Sequence, residues 1–209
     1  MSTQDRRLRE RRLRAEQIEQ ATHKVFLEKG YDAATIQGIA REAELSVGAI
    51  YFYFKTKEEI FGSINLKFVE ECDRGLEQIQ QAADLTPEDK LRRAWELLRT
   101  VFCRSSLSLR ALVHGQLQGS LQNISTPLLE KLNQTGRSVL GRLADVFREG
   151  VDRGVFRPAN PLALADLFWG AFTGVVAWEE AKRTTSPDKK FMDATLDLAL
   201  ETLIQGRLA

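Results

Sequence analysis

The stretch TIQGIAREAELSVGAIYFYFKTKEE, residues 35–59, decides the architecture of this chain. Its first half has apolar residues at the i, i+3, i+4, i+7 spacing of a short amphipathic helix. These residues are Ile36, Ile39, Ala40 and Ala43. Thr35 precedes them in the position of an N-cap. The spacing predicts a short helix that begins after Thr35 and ends near Ala43.

A second short helix is predicted directly after the first. The apolar pattern restarts at Leu45, and Ser46 is placed to cap a helix whose inward residues are Val47, Ile50 and Phe54. Its other surface carries Gly48, Ala49, Phe52 and Tyr53. Small side chains permit close approach to a DNA groove, and a tyrosine hydroxyl can bond to a phosphate without carrying charge. The two helices predict a helix-turn-helix unit that binds duplex DNA.

The same stretch resembles the N-terminal domain of TetR-family transcriptional regulators. The resemblance is carried by the Tyr-Phe-Tyr-Phe-Lys run at residues 51–55 and by Lys-Glu-Glu at 57–59. The segment 15–29, followed by Gly30 and Tyr31, is similar to the family's first helix and its glycine-aromatic stop. At the turn, where the family usually has glycine, this chain has Glu44. A positive φ at that residue is expected to cost about 1 kcal/mol.

The resemblance implies roles for individual side chains. Base edges would be contacted by Gln37, Gly48 and Ala49, and the Gln37 amide suits adenine. The phosphate backbone would be contacted by Thr35, Ser46, Tyr51, Tyr53, Lys55 and Lys57, with Val47 and Phe52 completing the candidate DNA surface. The Tyr51 ring has an alternative, which is to pack into the domain. Two such surfaces on a two-fold axis would require a palindromic operator, because they would meet major grooves about 34–36 Å apart.

Prolines mark helix starts in the rest of the chain. Four of the five follow a capping residue, which is the pattern of Ncap and N1: Thr86-Pro87, Thr126-Pro127, Asn160-Pro161 and Ser186-Pro187. Together with a long helix at 57–83, they predict helices near 87–104, 106–121, 127–153, 161–183 and 187–206. We expect an all-α chain. Residues 1–56, called the head below, would form a three-helix helix-turn-helix domain, and residues 57–209, called the body, a helical ligand-binding and dimerisation domain.

Two helices of the body are candidates for a dimer interface. The segment 162–178 is apolar nearly all round, but it is short for a membrane span and contains Asp166, so we expect it to pack against another subunit. The candidate interface residues are Leu167, Gly170, Gly174, Trp178, Leu196, Leu200 and Leu203. Members of the TetR family, which this chain resembles, dimerise through the same region. The alternative is that both helices only complete the core of one chain.

The resemblance also implies a small-molecule effector bound among the helices of the body. The candidate lining residues are Trp95, Phe102, Cys103, Leu112, His114, Gln116, Leu117, Phe147, Phe168 and Phe172. Each has an alternative as ordinary core. Arg104 and Arg110 could hold an anion, which favours an amphipathic acid such as a fatty acyl compound, and similar heads occur in relatives that sense acyl-CoA.

Composition and the remaining motifs exclude other classes. The only histidines are His23 and His114, and no catalytic spacing, phosphate loop or metal cluster accompanies them, so we expect no enzyme activity, no metal and no cofactor. Cys72 and Cys103 are too far apart in sequence for a zinc motif, and they predict no disulfide framework. The N-terminus lacks the apolar core of a secretory signal, so a cytoplasmic location without a membrane is expected.

Several alternatives stay open from the sequence. Six arginines crowd one segment near the N-terminus: Arg6, Arg7, Arg9, Arg11, Arg12 and Arg14. This arm would attract phosphate or enter a minor groove, or it would be a solvated extension of the first helix. Repression by an effector-released homodimer is the expected function. The alternatives are an architectural or partner-binding DNA protein without a ligand, and a redox sensor that uses a cysteine.

Overall fold

The computed structural model describes residues 3–104, 123–185 and 191–206, and the protein is all-α as predicted. The described residues form eight helices in two groups. The first three belong to the head, and the long fourth helix leads into the body. They are α1 (Thr3–Ala33), α2 (Ile36–Glu42), α3 (Val47–Tyr53), α4 (Lys57–Gln81), α5 (Pro87–Arg104), α6 (Thr126–Asp152), α7 (Pro161–Thr185) and α8 (Met192–Gln205).

Side-chain caps set the starts of α2, α3 and α4. The side-chain oxygens of Thr35, Ser46 and Thr56 each accept a hydrogen bond from the backbone N–H three residues later, at 3.0–3.1 Å. Each bond satisfies an N–H that has no partner inside its own helix. The predicted caps at Thr35 and Ser46 are therefore confirmed.

The first helix begins earlier than the resemblance implied. We expected a helix at 15–29 before Gly30, but α1 starts at Thr3 and includes the arginine arm. Gly30 has a φ of 78°, which glycine adopts without the steric cost that other residues incur, and the regular helix stops there. The helix predicted at 106–121 and the start at Ser186-Pro187 lie outside the described residues.

Two clusters of buried residues hold the chain together, and α4 belongs to both. The head cluster joins α1, α2 and α3 to the first two turns of α4, where Ile60, Phe61 and Ile64 are buried. From Phe68 onward, α4 packs into a second cluster with α5, α6, α7 and α8. Because one continuous helix contributes to both cores, no flexible linker separates the head from the body.

Polar contacts fix α6 against α4. Asp73 on α4 accepts hydrogen bonds from the Ser138 hydroxyl at 2.6 Å and from the Arg142 guanidinium at 2.8 Å, and Arg142 also reaches Glu77 at 3.0 Å. Burial acts to raise the pKa of the Asp73 carboxyl, but the hydrogen bonds from Ser138 and Arg142 outweigh it, and the pKa is lowered. Asp73 is therefore a charged link between the two helices at neutral pH.

Helix α7 keeps much of its apolar surface outside the core. Over Pro161–Glu179 it is long and apolar enough, by length and composition alone, to cross a membrane, and 28% of that window is buried. Core helices of soluble proteins pass the same test, so this finding is weak evidence for a membrane span. An apolar face of this kind needs cover from another surface.

Candidate DNA-binding surface and effector core

The turn between α2 and α3 is held from both sides. Backbone hydrogen bonds run from Ala43 to Ile39 at 2.8 Å and from Leu45 to Ala40 at 2.9 Å. Glu44 lies between them with a φ of 54°, which makes it the single non-glycine residue with positive φ in the described ranges. The positive φ that we expected at Glu44 is therefore present, and it lies within the turn.

A glutamine on α1 also supports this turn, and sequence reasoning missed it. The Gln17 amide donates a hydrogen bond to the Ala43 carbonyl at 2.8 Å, and its oxygen accepts one from Arg14 at 2.8 Å. The contact joins residues 26 positions apart, so no local sequence pattern indicated it. Gln17 therefore ties α1 to the turn between α2 and α3.

Most of the predicted DNA-contacting side chains are exposed. Phe52 is 67% exposed and Tyr51 is 43% exposed, and Thr35, Gln37, Ser46, Gly48 and Lys55 are exposed as well. Val47 and Tyr53 are half-buried against the head cluster. Of the two tyrosines, Tyr53 is therefore the one that packs into the head. The Tyr51 side chain faces outward.

Gly48 occupies a position that the protein's own packing leaves open. A Cβ added there would meet only the Ser46 hydroxyl oxygen, at 3.9 Å, and the residue lies within α3 without a positive φ. Glycine inside a helix costs about 1 kcal/mol relative to alanine. Neither turn geometry nor packing among the described residues requires glycine here.

Lys57 differs from the other members of the predicted surface. Its ammonium donates to the Tyr31 carbonyl at 2.9 Å and lies 4.4 Å from the centroid of the Tyr31 ring. That carbonyl is available because the regular part of α1 ends at Gly30. Lys57 therefore joins α4 to the end of α1, whereas Lys55 is exposed and contacts the Tyr51 carbonyl at 3.3 Å.

The α2–turn–α3 unit, with its small and aromatic outer surface, is a helix-turn-helix of the kind that places its second helix in the major groove. This geometry defines the class, a helix-turn-helix DNA-binding protein. Residues 18–64 match the family described as bacterial regulatory proteins, tetR family. Residues 18–64 therefore carry the DNA-binding domain of the TetR family, and the proteins that this chain resembles are transcriptional regulators, not enzymes.

Relatives match along most of the chain. The fatty acid metabolism regulator protein of Bacillus subtilis (strain 168) is 28% identical over 206 residues, which cover 95% of this chain and 98% of that protein. The crystal structure of a tetR-family regulatory protein from Rhodococcus RHA1 has a TM-score of 0.70 at 25% identity, covering 91% of this chain and 96% of that one. The Bacillus subtilis FadR structure in complex with stearoyl-CoA has a TM-score of 0.67 at 24% identity, covering 91% and 98%.

The predicted effector residues divide into three groups. Trp95, Phe102, Phe147, Phe168 and Phe172 are buried together in the body core. The Trp95 ring meets Phe168 and Phe172 edge to face, at centroid distances of 4.9 and 5.3 Å. Cys103 is exposed, and Leu112, His114, Gln116 and Leu117 lie outside the described residues.

Two buried side-chain polar atoms have no hydrogen-bond partner among the described residues. They are the Trp95 indole nitrogen and the Asn65 side-chain oxygen. A buried polar group without a partner costs about 1–3 kcal/mol. Such atoms indicate a place where another polar group is expected.

A separate open cleft lies between α1 and α4. Its volume is about 590 Å³, and Glu16, Glu19, His23, Lys67 and Phe68 are among the residues that line it. Glu19 accepts hydrogen bonds from Ser63 at 2.8 Å and from Lys67 at 2.5 Å, so ionic groups of the head and body meet there. None of the predicted effector residues that the structure describes lines this cleft.

The two cysteines have different environments. Cys72 is fully buried, and burial is the main reason that the pKa of its thiol rises to about 12. A thiol with this pKa is protonated at neutral pH and a poor nucleophile, which argues against Cys72 as a redox sensor. Cys103 is exposed, so the redox alternative depends on that residue alone.

The predicted dimer residues split into an exposed and a buried set. Leu167, Gly170, Gly174 and Trp178 follow one exposed face of α7, and Trp178 is 64% exposed. Leu196 and Leu200, in contrast, are only 1% and 7% exposed, because their face of α8 packs into the core of the same chain. Those two residues complete the intrachain core, and Leu203 is half-buried against it. The outer side of α8 instead presents Leu198.

Proposed function

We propose that the protein is a homodimeric repressor that binds a palindromic operator and is released when an amphipathic effector binds in the body. The observation that carries the proposal is the exposed α3 surface around Gly48 and Phe52, on a head joined to the body by the continuous helix α4. In this scheme residues 1–56 read DNA, and residues 57–209 bind the effector and form the dimer. The location that suits this function is the cytoplasm.

Dimerisation is supported by two glycines of α7 that no contact among the described residues requires. A Cβ added at Gly170 or Gly174 would meet nothing within 4 Å among the described residues, although glycine weakens a helix interior. Both lie on the same face of α7 as the exposed Trp178. A second copy packed on this face would bury the tryptophan and use the close approach that glycines allow. The exposed Leu198 extends the apolar surface onto α8.

The body core and the relatives support one class of effector. An aromatic core whose Trp95 indole N–H has no partner among the described residues suits a long apolar chain that carries a polar group. A relative along 95% of the chain is a fatty acid metabolism regulator, and a similar structure holds stearoyl-CoA. We therefore propose a fatty acyl thioester or the corresponding fatty acid as the effector.

The energetics limit how the effector acts. An effector that prefers the released conformation by a thousandfold shifts the equilibrium by about 4 kcal/mol. The DNA-binding and released conformations must therefore already lie within a few kcal/mol of each other. Binding of the effector also stabilises the folded chain, since the unfolded chain has no such site.

The test begins with an operator selected by the protein from random 40-bp duplexes. Native mass spectrometry of the purified chain gives its subunit number and any co-purified small molecule. Fluorescence anisotropy then measures operator affinity with stearoyl-CoA, stearate and free coenzyme A. We expect a dimer, at least tenfold weaker operator binding with the acyl compounds, a higher melting temperature, and no effect of free coenzyme A. Tight acyl-CoA binding that leaves operator affinity unchanged would contradict the release mechanism. Affinity that is equal for all sequences would favour an architectural DNA protein.

A further inference from the structure

The arginine arm, residues 3–17 of α1, projects from the head as a helix. Residues 4–14 are all exposed, and Ile18 is the first residue of α1 that is fully buried in the head cluster. At 1.5 Å per residue the arm is about 20 Å long. Gln17 anchors its base to the α2–α3 turn through the Ala43 carbonyl. The arm therefore leaves the head at the helix-turn-helix unit.

The arginines of the arm fall on two different faces. Arg7, Arg11 and Arg14 follow the i, i+4, i+7 spacing of one face, and Ile18 continues that series four residues later. This face is therefore the extension of the buried side of α1 beyond the head. We call it the inner arginine face. Arg9 and Arg12 lie on the opposite, outer face, where Arg12 pairs with Glu16 at 3.6 Å.

The inner arginine face reaches the predicted DNA surface. The Arg11 guanidinium lies 5.9 Å from the centroid of the Phe52 ring, on the exposed side of α3. Arg7 lies one turn further out, about 6 Å along the same helix. Neither arginine makes an ion pair within the described parts of the chain. Their charges border the α3 surface and are available to a partner.

We propose that the inner arginine face is a second DNA-binding element that contacts backbone phosphates beside the groove occupied by α3. The proposal rests on the DNA-binding function proposed above. Arginine guanidinium groups form paired hydrogen bonds with phosphate oxygens, and such contacts position a protein on the duplex without reading bases. Duplex DNA is the partner that fits, because the basic face is continuous with the surface of α3. The arm lengthens the contact with DNA outside the half-site.

Two double variants distinguish the effect of this face on DNA binding from the effect of the arm's net charge. R7A/R11A removes two charges from the inner face, and R9A/R12A removes two from the outer face of the same helix. Alanine favours helix in both variants. Circular dichroism and the melting temperature check that each variant is folded. Arg14 is left in place because it bonds to Gln17, which supports the turn.

The measurement is the salt dependence of affinity for the selected 40-bp duplex. Each lost phosphate contact makes the slope of log K against log salt shallower by about 0.9. With two contacts per protomer in a dimer, the slope for R7A/R11A should be shallower than that of the wild type by up to about 4. Affinity at 0.15 M salt should fall at least tenfold. R9A/R12A is expected to bind within about twofold of the wild type. Hydroxyl-radical footprinting of R7A/R11A should lose protection at the flanks and keep it at the centre.

Two results would overturn the proposal. If both variants lose affinity equally, the arm acts through net charge and not through one face. If R7A/R11A keeps the wild-type slope and footprint, the arm does not contact DNA. Both variants are also measured on a random-sequence duplex. A wild type that selects no operator would refute the proposed function, and the comparison of the two variants on that duplex would still decide the role of the arm.

Discussion

Replacing Glu44 by glycine should stabilise the head. Glu44 has a φ of 54° in the turn between α2 and α3, in a region that side chains with a Cβ adopt at a cost of about 1–2 kcal/mol per residue. Glycine removes this cost but makes the unfolded chain more flexible. The added flexibility cancels about 0.5–1 kcal/mol of the stability gained. The net expectation for E44G is about 0.5–1 kcal/mol of added stability.

Hydrogen exchange of the full chain measures this effect locally. At a thermal energy of about 0.6 kcal/mol, amides in residues 35–64 should exchange about two- to fivefold more slowly in E44G. All three tryptophans, Trp95, Trp169 and Trp178, lie in the body, so tryptophan fluorescence should stay unchanged and serves as a control. The comparison E44A removes the charge but keeps the Cβ, and it should give no gain.

E44N adds an intermediate case, because asparagine tolerates a positive φ better than glutamate does. The expected order of stability is therefore E44G above E44N, with E44A close to the wild type. If E44A were as stabilising as E44G, the carboxylate and not the backbone would be the cause. If E44G lost stability, the strain argument would be refuted.

Three further predictions concern the DNA surface, the dimer and pH. Y51F should weaken binding to all duplexes about equally, whereas Q37A should change preference at one operator position; equal losses for both variants on every duplex would contradict these roles. L198K should raise the dimer dissociation constant at least about 100-fold by light scattering, because it buries a charge in an apolar interface, whereas an unchanged dimer would exclude this face. D73N should lower stability by about 1–3 kcal/mol at pH 7 in urea titrations. Since the pKa of Asp73 is lowered on folding, the wild type should lose this advantage as the pH falls below about 4, and a difference that persisted in acid would argue against the carboxylate.

Local sequence patterns predicted the parts of the fold that depend on neighbouring residues. The caps at Thr35 and Ser46 act on N–H groups three residues away, so their positions could be seen in the sequence. The positive φ at Glu44 was expected from the resemblance, because the family usually has glycine at that position. The start of α1 was not, because a segment rich in arginine is compatible with either a helix or an unstructured arm.

Contacts between distant segments could not be predicted in this way. Lys57 was assigned to the DNA backbone, yet it lies on the Tyr31 carbonyl, 26 residues away in sequence. The apolar spacing of α8 was recognised, but spacing shows only which residues share a face. It does not show whether that face meets the same chain or another one, and Leu196 and Leu200 meet the same chain.

The shared helix α4 makes the head sensitive to small rotations of the body. Its 25 residues span about 37 Å, and both ends are fixed in a packed core. If the body end of such a rigid lever turns by only about 10°, its other end moves by about 6 Å. This displacement is half the width of the major groove of about 12 Å. In the proposed release mechanism, an effector therefore needs to cause only a slight tilt of α4 to take α3 out of register with the operator.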